Sequence, residues 1–166
     1  MKIDTLGDLF VHELQDVYSA ELQLVDELDK LADEAHQPEL KTMFIEHRRE
    51  TEEQVHRVER AFESINQRPR KAKCAAIKGM TKEHKHFMKQ LPSDEIVDMF
   101  DAEASMKVEN YEITSYKQLI DLATKLGYVE ARDLLKLNLR EEEQALNKLA
   151  QFVEKYERQL IRLEVA

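Results

Sequence analysis

Glycine and proline, the residues that most often stop a helix, are nearly absent from this chain, three of each in 166 residues. With apolar residues recurring at helical spacing between so few stops, the sequence is confined to a few long helices joined by short turns. Four long segments follow. The first starts at Thr5, whose hydroxyl can cap the helix with Asp8 in the first turn, and runs to about Ala35; its stripe is Leu6, Phe10, Leu14, Val17, Val25, Leu28 and Leu31. His36-Gln37-Pro38 makes a tight connection to an antiparallel second helix, from about Glu39 to Asn66. A third begins at Ser93, with Asp94 and Glu95 favouring its N-terminal dipole, and ends at Gly127, suited to a left-handed C-terminus. The fourth runs from about Val129 to Leu163. The expectation is one all-α domain over residues 1–166.

Between the second and third helices the composition changes. Arg68 to Lys89 holds Arg68, Arg70, Lys71, Lys73, Lys78, Lys82, Lys85 and Lys89 against the single acid Glu83. Cys74, Ile77, Met80, Phe87 and Met88 lie there on a short helical pattern interrupted by Gly79, which Leu91-Pro92 ends. A connection of about 20 residues can travel the whole bundle and leave the second and third helices parallel. The basic run reads as a solvated face that balances an acidic bundle, or as a docking surface for a protein partner.

A net charge of −9 argues against nonspecific nucleic-acid binding, which needs clustered Lys and Arg. One cysteine, Cys74, permits no intramolecular disulfide and no Cys-based zinc or rubredoxin-type iron site. There is no run of 18 apolar residues, and the N-terminus opens directly into an amphipathic helix, so a soluble cytoplasmic protein without membrane contact is expected.

Several acids break the apolar faces. Glu109 and Glu112 bracket the stripe of Ala102, Ser105, Ile113, Tyr116, Leu119, Ile120 and Ala123, and Glu21 lies seven residues from both Leu14 and Leu28. In Arg140-Glu-Glu-Glu-Gln144, Glu142 points into its stripe, Glu143 points out and Glu141 sits at the edge. On the second helix Glu53 and His56 have the Glu-x-x-His spacing of ferritin-like metal sites, but the helical wheel turns both to solvent. Nearer the core are His47, Glu50 and Gln54. Folding about Gln37 sets Glu21 level with residues 50 to 54, which favours Glu50 and Gln54 and leaves His47 a turn away, as a hydrogen-bonded core histidine rather than a ligand. Glu21, Glu50, Glu109, Glu112 and Glu142 thus share one layer. Taken singly, each could snorkel to solvent. Five at one depth would repel and raise one another's pKa values, whereas a pair of cations neutralises them, and carboxylate oxygens suit iron or manganese.

The chain resembles the YciF-like family of bacterial stress-associated ferritin-like proteins through Asp16-x-Tyr18-x-Ala-Glu21, His47-x-x-Glu50-Thr51-x-x-Gln54, Lys73-Cys74-x-Ala-x-x-Gly79, Glu109-x-x-Glu112-Ile-x-x-Tyr116 and Glu141-Glu142. The resemblance implies a ferritin-like antiparallel four-helix bundle with a short crossover helix between the second and third long helices, commonly paired into a homodimer. More remotely, Glu109-x-x-Glu112 followed by Glu142 is similar to rubrerythrin, a di-iron peroxidase, which implies Glu21, Glu50, Glu109, Glu112 and Glu142 as direct metal ligands. Rubrerythrin-type sites carry a histidine three residues after the Glu of the second and fourth helices; here those places hold Glu53 and Ala145, and Gln54 is the substitute that remains. A Cys-x-x-Cys iron module is also missing.

The expected function is that of a dinuclear metal protein of stress response, with oxidase or peroxidase chemistry in which Tyr116 or Tyr18 assists. The rival is a non-catalytic structural or interaction homodimer whose tyrosines are core aromatics bonded to carboxylates. Met99, Phe100 and Met106, away from the third helix's stripe, together with the crossover's apolar face, offer surplus apolar surface and favour the dimer.

Overall fold

Thr5 and Asp8 cap the first helix reciprocally: the Thr5 hydroxyl accepts from the Asp8 N–H at 3.1 Å, and the Asp8 carboxylate accepts from the Thr5 N–H at 3.0 Å. From there the computed structural model, which describes residues 2–70 and 72–165, is helical between short turns. Among the described residues the helices are five: α1 (Leu6–Glu34), α2 (Pro38–Ser64), α3 (Ala75–Met88), α4 (Asp94–Leu126) and α5 (Val129–Glu164). Met1, Lys71 and Ala166, which fall inside the expected single domain, lie outside the described residues, as does the Lys71 contribution to the basic run.

Ion pairs and hydrogen bonds fix the directions. Tyr18–Glu59 and Asp29–Arg48 run α1 against α2, Arg57–Asn138 and Lys155–Glu39 run α2 against α5, and Lys117–Glu143 runs α4 against α5. Asp98 at the start of α4 meets the end of α1. Neighbours in the ring α1–α2–α5–α4 are therefore antiparallel, and the diagonal helices α2 and α4 are parallel, as the long crossover requires.

Two apolar clusters sandwich the middle of the bundle. Phe10, Leu14, Phe62, Leu119 and Leu135 fill one end; Leu28, Leu40, Phe44, Ile77 and Phe152 fill the other. The acidic layer lies between them. Leu6, expected in the stripe, is exposed, because it sits in the first turn beyond the end of the partner helices.

The crossover corrects two expectations. Gly79 does not interrupt it: α3 runs unbroken from Ala75 to Met88, with open space where a Cβ would stand. The surplus apolar surface is used internally as well. Met99 and Met106 pack against the core cluster that holds Ile77, and Phe100 stacks on Phe87 with ring centroids 3.8 Å apart. At its start the crossover is pinned by the Gln15 amide, which donates to the Arg70 carbonyl and accepts from the Arg70 N–H, each at 2.6 Å. Asp16 accepts from Tyr111 at 2.5 Å and from the Cys74 thiol at 3.2 Å, which ties the start of α3 to α1 and α4.

Candidate metal centre

Glu21, Glu109, Glu112 and Glu142 converge between the two clusters, each at most 2% exposed. Helical spacing puts Glu109 and Glu112 on one face of α4, Glu21 faces them from α1, and Glu142 reaches in from α5. His47 of α2 completes the layer. Its Nε2 stands 3.2 Å from Glu109 Oε1 and 3.6 Å from Glu142 Oε2, so the histidine expected a turn away lies within the layer.

One atom each from His47, Glu109 and Glu142 come within 4.8 Å of one another, and so do one atom each from Glu21, Glu112 and Glu142. Glu142 belongs to both groups. Its two oxygens, with Glu21 Oε2, Glu109 Oε2 and Glu112 Oε1, are buried without a hydrogen-bond partner. Bare carboxylate oxygens in a core are costly, and either a cation or a proton relieves that cost.

The electrostatics agree. Burial raises Glu112 well above its ordinary 4.5, with Glu21 and Glu142 adding to the effect, and burial with Glu109 does the same to Glu142. Burial lifts Glu21 to about 7 although the Tyr116 hydroxyl opposes the rise. Burial alone would lower His47, but Glu109, Glu50 and Glu142 outweigh it and hold the imidazole well above its ordinary 6.5.

Of the other residues proposed from sequence, Glu50 is at the rim, its side chain 38% exposed and its Oε2 3.5 Å from His47 Nδ1, which lowers its pKa. Gln54 is fully buried but donates to Glu141 at 3.1 Å, leaving its Oε1 unpartnered. Glu53 and His56 are exposed. Tyr18 is corrected away from the layer, since its hydroxyl donates to Glu59 at 2.9 Å between α1 and α2.

A chain of polar groups reaches Glu21. Arg57 pairs with both Glu141 oxygens, at 2.7 and 2.8 Å, and donates to Asn138 Oδ1 at 2.6 Å. Asn138 Nδ2 donates to the Tyr116 oxygen at 2.9 Å. With that oxygen accepting from Asn138, the single Tyr116 proton points to Glu21 Oε1. Arg57 and Asn138 were missed as site residues, the first because it is charged at a stripe edge and the second because it reads as an isolated polar residue among leucines. Ala145 has a consequence of its own. It lines a cavity of about 20 Å³ beside His47, Glu50, Glu109 and Lys148, room for one water-sized molecule at the edge of the layer.

The family described as a domain of unknown function (DUF892) matches residues 5–162. Protein YciF of Escherichia coli K12 is 39% identical over 143 residues, 86% of each chain. The crystal structure of the E. coli stress protein YciF superposes with a TM-score of 0.88 at 37% identity, covering 92% of this chain and 97% of that one. YcfI from Rhodopseudomonas palustris gives 0.87 at 33% identity, covering 90% and 95%. A two-domain protein from Anabaena variabilis with DJ-1/ThiJ/PfpI-like and ferritin-like domains gives 0.65 at 14% identity, covering 92% of this chain and 37% of that one, a likeness of fold alone. The architecture is ferritin-like and all-helical. No described helix is long and apolar enough to cross a membrane.

Proposed function

The chain belongs to the DUF892 family as a relative of the stress protein YciF, and from that premise we propose that it is a dinuclear metalloprotein of stress response, holding iron or manganese in its acidic layer. One observation carries the reading: two adjoining three-residue groups share Glu142, so one carboxylate can bridge two ions. His47, Glu109 and Glu142 would hold the first ion and Glu21, Glu112 and Glu142 the second, with Glu50, beside His47 at the rim, and Gln54, whose Oε1 is unpartnered, as the remaining proposed ligands. One imidazole among carboxylates is a donor set for iron or manganese. Elemental analysis of protein purified without chelator should find at least two such ions per chain; a metal-free preparation that takes up neither ion on titration would overturn the assignment.

The activity proposed for this centre is oxidation or peroxide reduction. A pair of iron(II) ions, when bound, would give one electron each and become iron(III), which balances the conversion of hydrogen peroxide and two protons to two waters. The residues supply access and protons. The Ala145 cavity has room for one water-sized molecule at the edge of the layer. Glu21, raised to about 7 by burial, holds a proton near neutral pH, and Tyr116, kept protonated by burial and the adjacent carboxylates, orients Glu21 through its hydroxyl while Asn138 fixes its direction. Iron-loaded protein should therefore consume peroxide in stopped-flow mixing faster than free iron, and Tyr116→Phe should slow it about tenfold or more with iron content unchanged. A loaded wild type no faster than free iron would remove the peroxidase chemistry. It would favour the rival structural role, which fits the absence of a histidine at Glu53 and Ala145 and the provisional description of the Rhodopseudomonas relative as a structural protein.

Homodimerisation and a cytoplasmic site of action belong to the same reading. Exposed apolar residues such as Leu22, Ile45, Ile96 and Leu137 remain available for the dimer although Met99 and Met106 pack into the core. Sedimentation at micromolar concentration should give twice the 19.5 kDa chain mass, and a monomer throughout would refute the pairing. The basic crossover from Arg68 to Lys89 is the surface proposed for any acidic protein partner.

A further inference from the structure

Away from the Glu142 layer, α1, α3 and α4 enclose a cavity of about 440 Å³ with walls of Leu24, Leu31, Ile77, Met80, Met88 and Val108. Three side chains of another kind meet in it: Glu34 from the end of α1, His84 from α3 and Asp101 from α4. Asp101 is 0% exposed, and neither of its oxygens has a hydrogen-bond partner. His84 Nε2 stands 2.9 Å from Asp101 Oδ1 and 3.4 Å from Glu34 Oε2, yet it makes a hydrogen bond with neither.

A simple ion pair would aim the ring N–H at one carboxylate oxygen and still leave the second Asp101 oxygen bare. The observed arrangement has another solution. Two donors on one ion, each about 2.1 Å from it and separated by about 90–110°, stand about 3.0–3.4 Å apart. The 3.4 Å separation from Glu34 falls at the upper end of that spacing and the 2.9 Å separation from Asp101 just short of its lower end. The ring is held in place by Phe100, whose centroid is 6.1 Å away and which itself stacks on Phe87.

We infer that Glu34, His84 and Asp101 form a mononuclear site for a divalent transition-metal ion, distinct from the central layer and open to the cavity between α1, α3 and α4. One imidazole and two carboxylates select ions of the zinc, iron(II), cobalt(II) and manganese(II) group over calcium or magnesium. Three protein ligands leave a position for water or an exchanging ligand. Asp101 precedes Glu109 by eight residues, two turns of α4, so the site lies about 12 Å along the helix from the central layer.

The test is titration of the chelator-treated full chain with cobalt(II), followed by its visible absorption and by elemental analysis after desalting. Three ions per chain are expected for the wild type, two for His84→Gln or Asp101→Asn, and one for Glu142→Ala. The His84→Gln variant should weaken the affected site at least tenfold. It changes a partly exposed ring, so circular dichroism should show an unaltered fold even if Asp101→Asn folds poorly. An unchanged stoichiometry and affinity in His84→Gln would overturn the inference. The two centres fail separately: cobalt lost in Glu142→Ala but not in His84→Gln removes this site alone, whereas the converse removes the central one and leaves this site standing.

Discussion

Replacing Glu142 by alanine should empty both central ion positions at once, leaving only the ion proposed for the Glu34–His84–Asp101 site. Its Oε2 faces His47 at 3.6 Å, and the carboxylate is the member common to both three-residue groups. Glu109→Ala and Glu112→Ala should each unload chiefly one position, because each belongs to a single group. Glu53→Ala and His56→Ala should change nothing, since both side chains are solvated. Elemental analysis of the five variants checks the pattern. Equal loss in all of them would contradict the placement of the acids, and no loss in Glu142→Ala would contradict the bridge. Misfolding is separable from ligand loss: removing one of four crowded carboxylates relieves repulsion, so metal-free Glu142→Ala should melt no lower than metal-free wild type.

The metal-free protein should be more stable in mild acid than at neutral pH, the reverse of the usual carboxylate behaviour. Glu21, Glu112 and Glu142 have folded pKa values above the ordinary 4.5, so the folded chain retains protons that the unfolded chain has released. Stability then falls as pH rises from about 4.5 through the folded values, about 7 for Glu21. His47 acts in the same direction. Its pKa is raised on folding, so its contribution is complete below about 6.5 and disappears as pH climbs through the folded value. Glu50, lowered by its bond to His47, opposes this only as pH falls below about 4.5. The melting temperature of the metal-free chain should be higher at pH 5 than at pH 8 by about 5–10 °C. Bound metal should raise the pH 8 value most. Melts that coincide with and without chelator at pH 8 would contradict this expectation.

The legible part of the centre was the part set by one helix at a time. Glu21, Glu109, Glu112 and Glu142 announce themselves because a carboxylate on an apolar face must find a cation or a proton, and helical geometry alone fixes that face. Placing His47 needed the register between α1 and α2 to within one turn. An imidazole reaches far enough that an error of that size reverses the answer. Tyr18 shows the same weakness, since its position on α1 was clear but its partner, Glu59, lies on another helix.

Asp98 and Asp101 went unnoticed for a different reason. Asp98 accepts the backbone N–H groups of His36 and Gln37, both at 2.9 Å, and Asp101 faces His84 of the crossover. Their partners are distant in sequence and belong to a turn and to the connecting helix, so no spacing within α4 marks them. The fold itself was easier. Sparse stops, Pro38 and Gly127 set the boundaries, and the crossover's length implied the parallel diagonal.

The sharing of ligands across the bundle bears on how the chain assembles. Residues 6–64 and 94–164 are each a helical hairpin closed by a short turn, and contacts within each are local. Neither hairpin contains either proposed ion position. The first contributes Glu21 and His47, the second Glu109, Glu112 and Glu142, and every three-residue group in the layer spans the seam between them. Ion capture therefore belongs to the end of folding, after the long crossover has brought the hairpins face to face. Once there, the proposed ions would act as cross-links between halves of the chain joined covalently by residues 65–93.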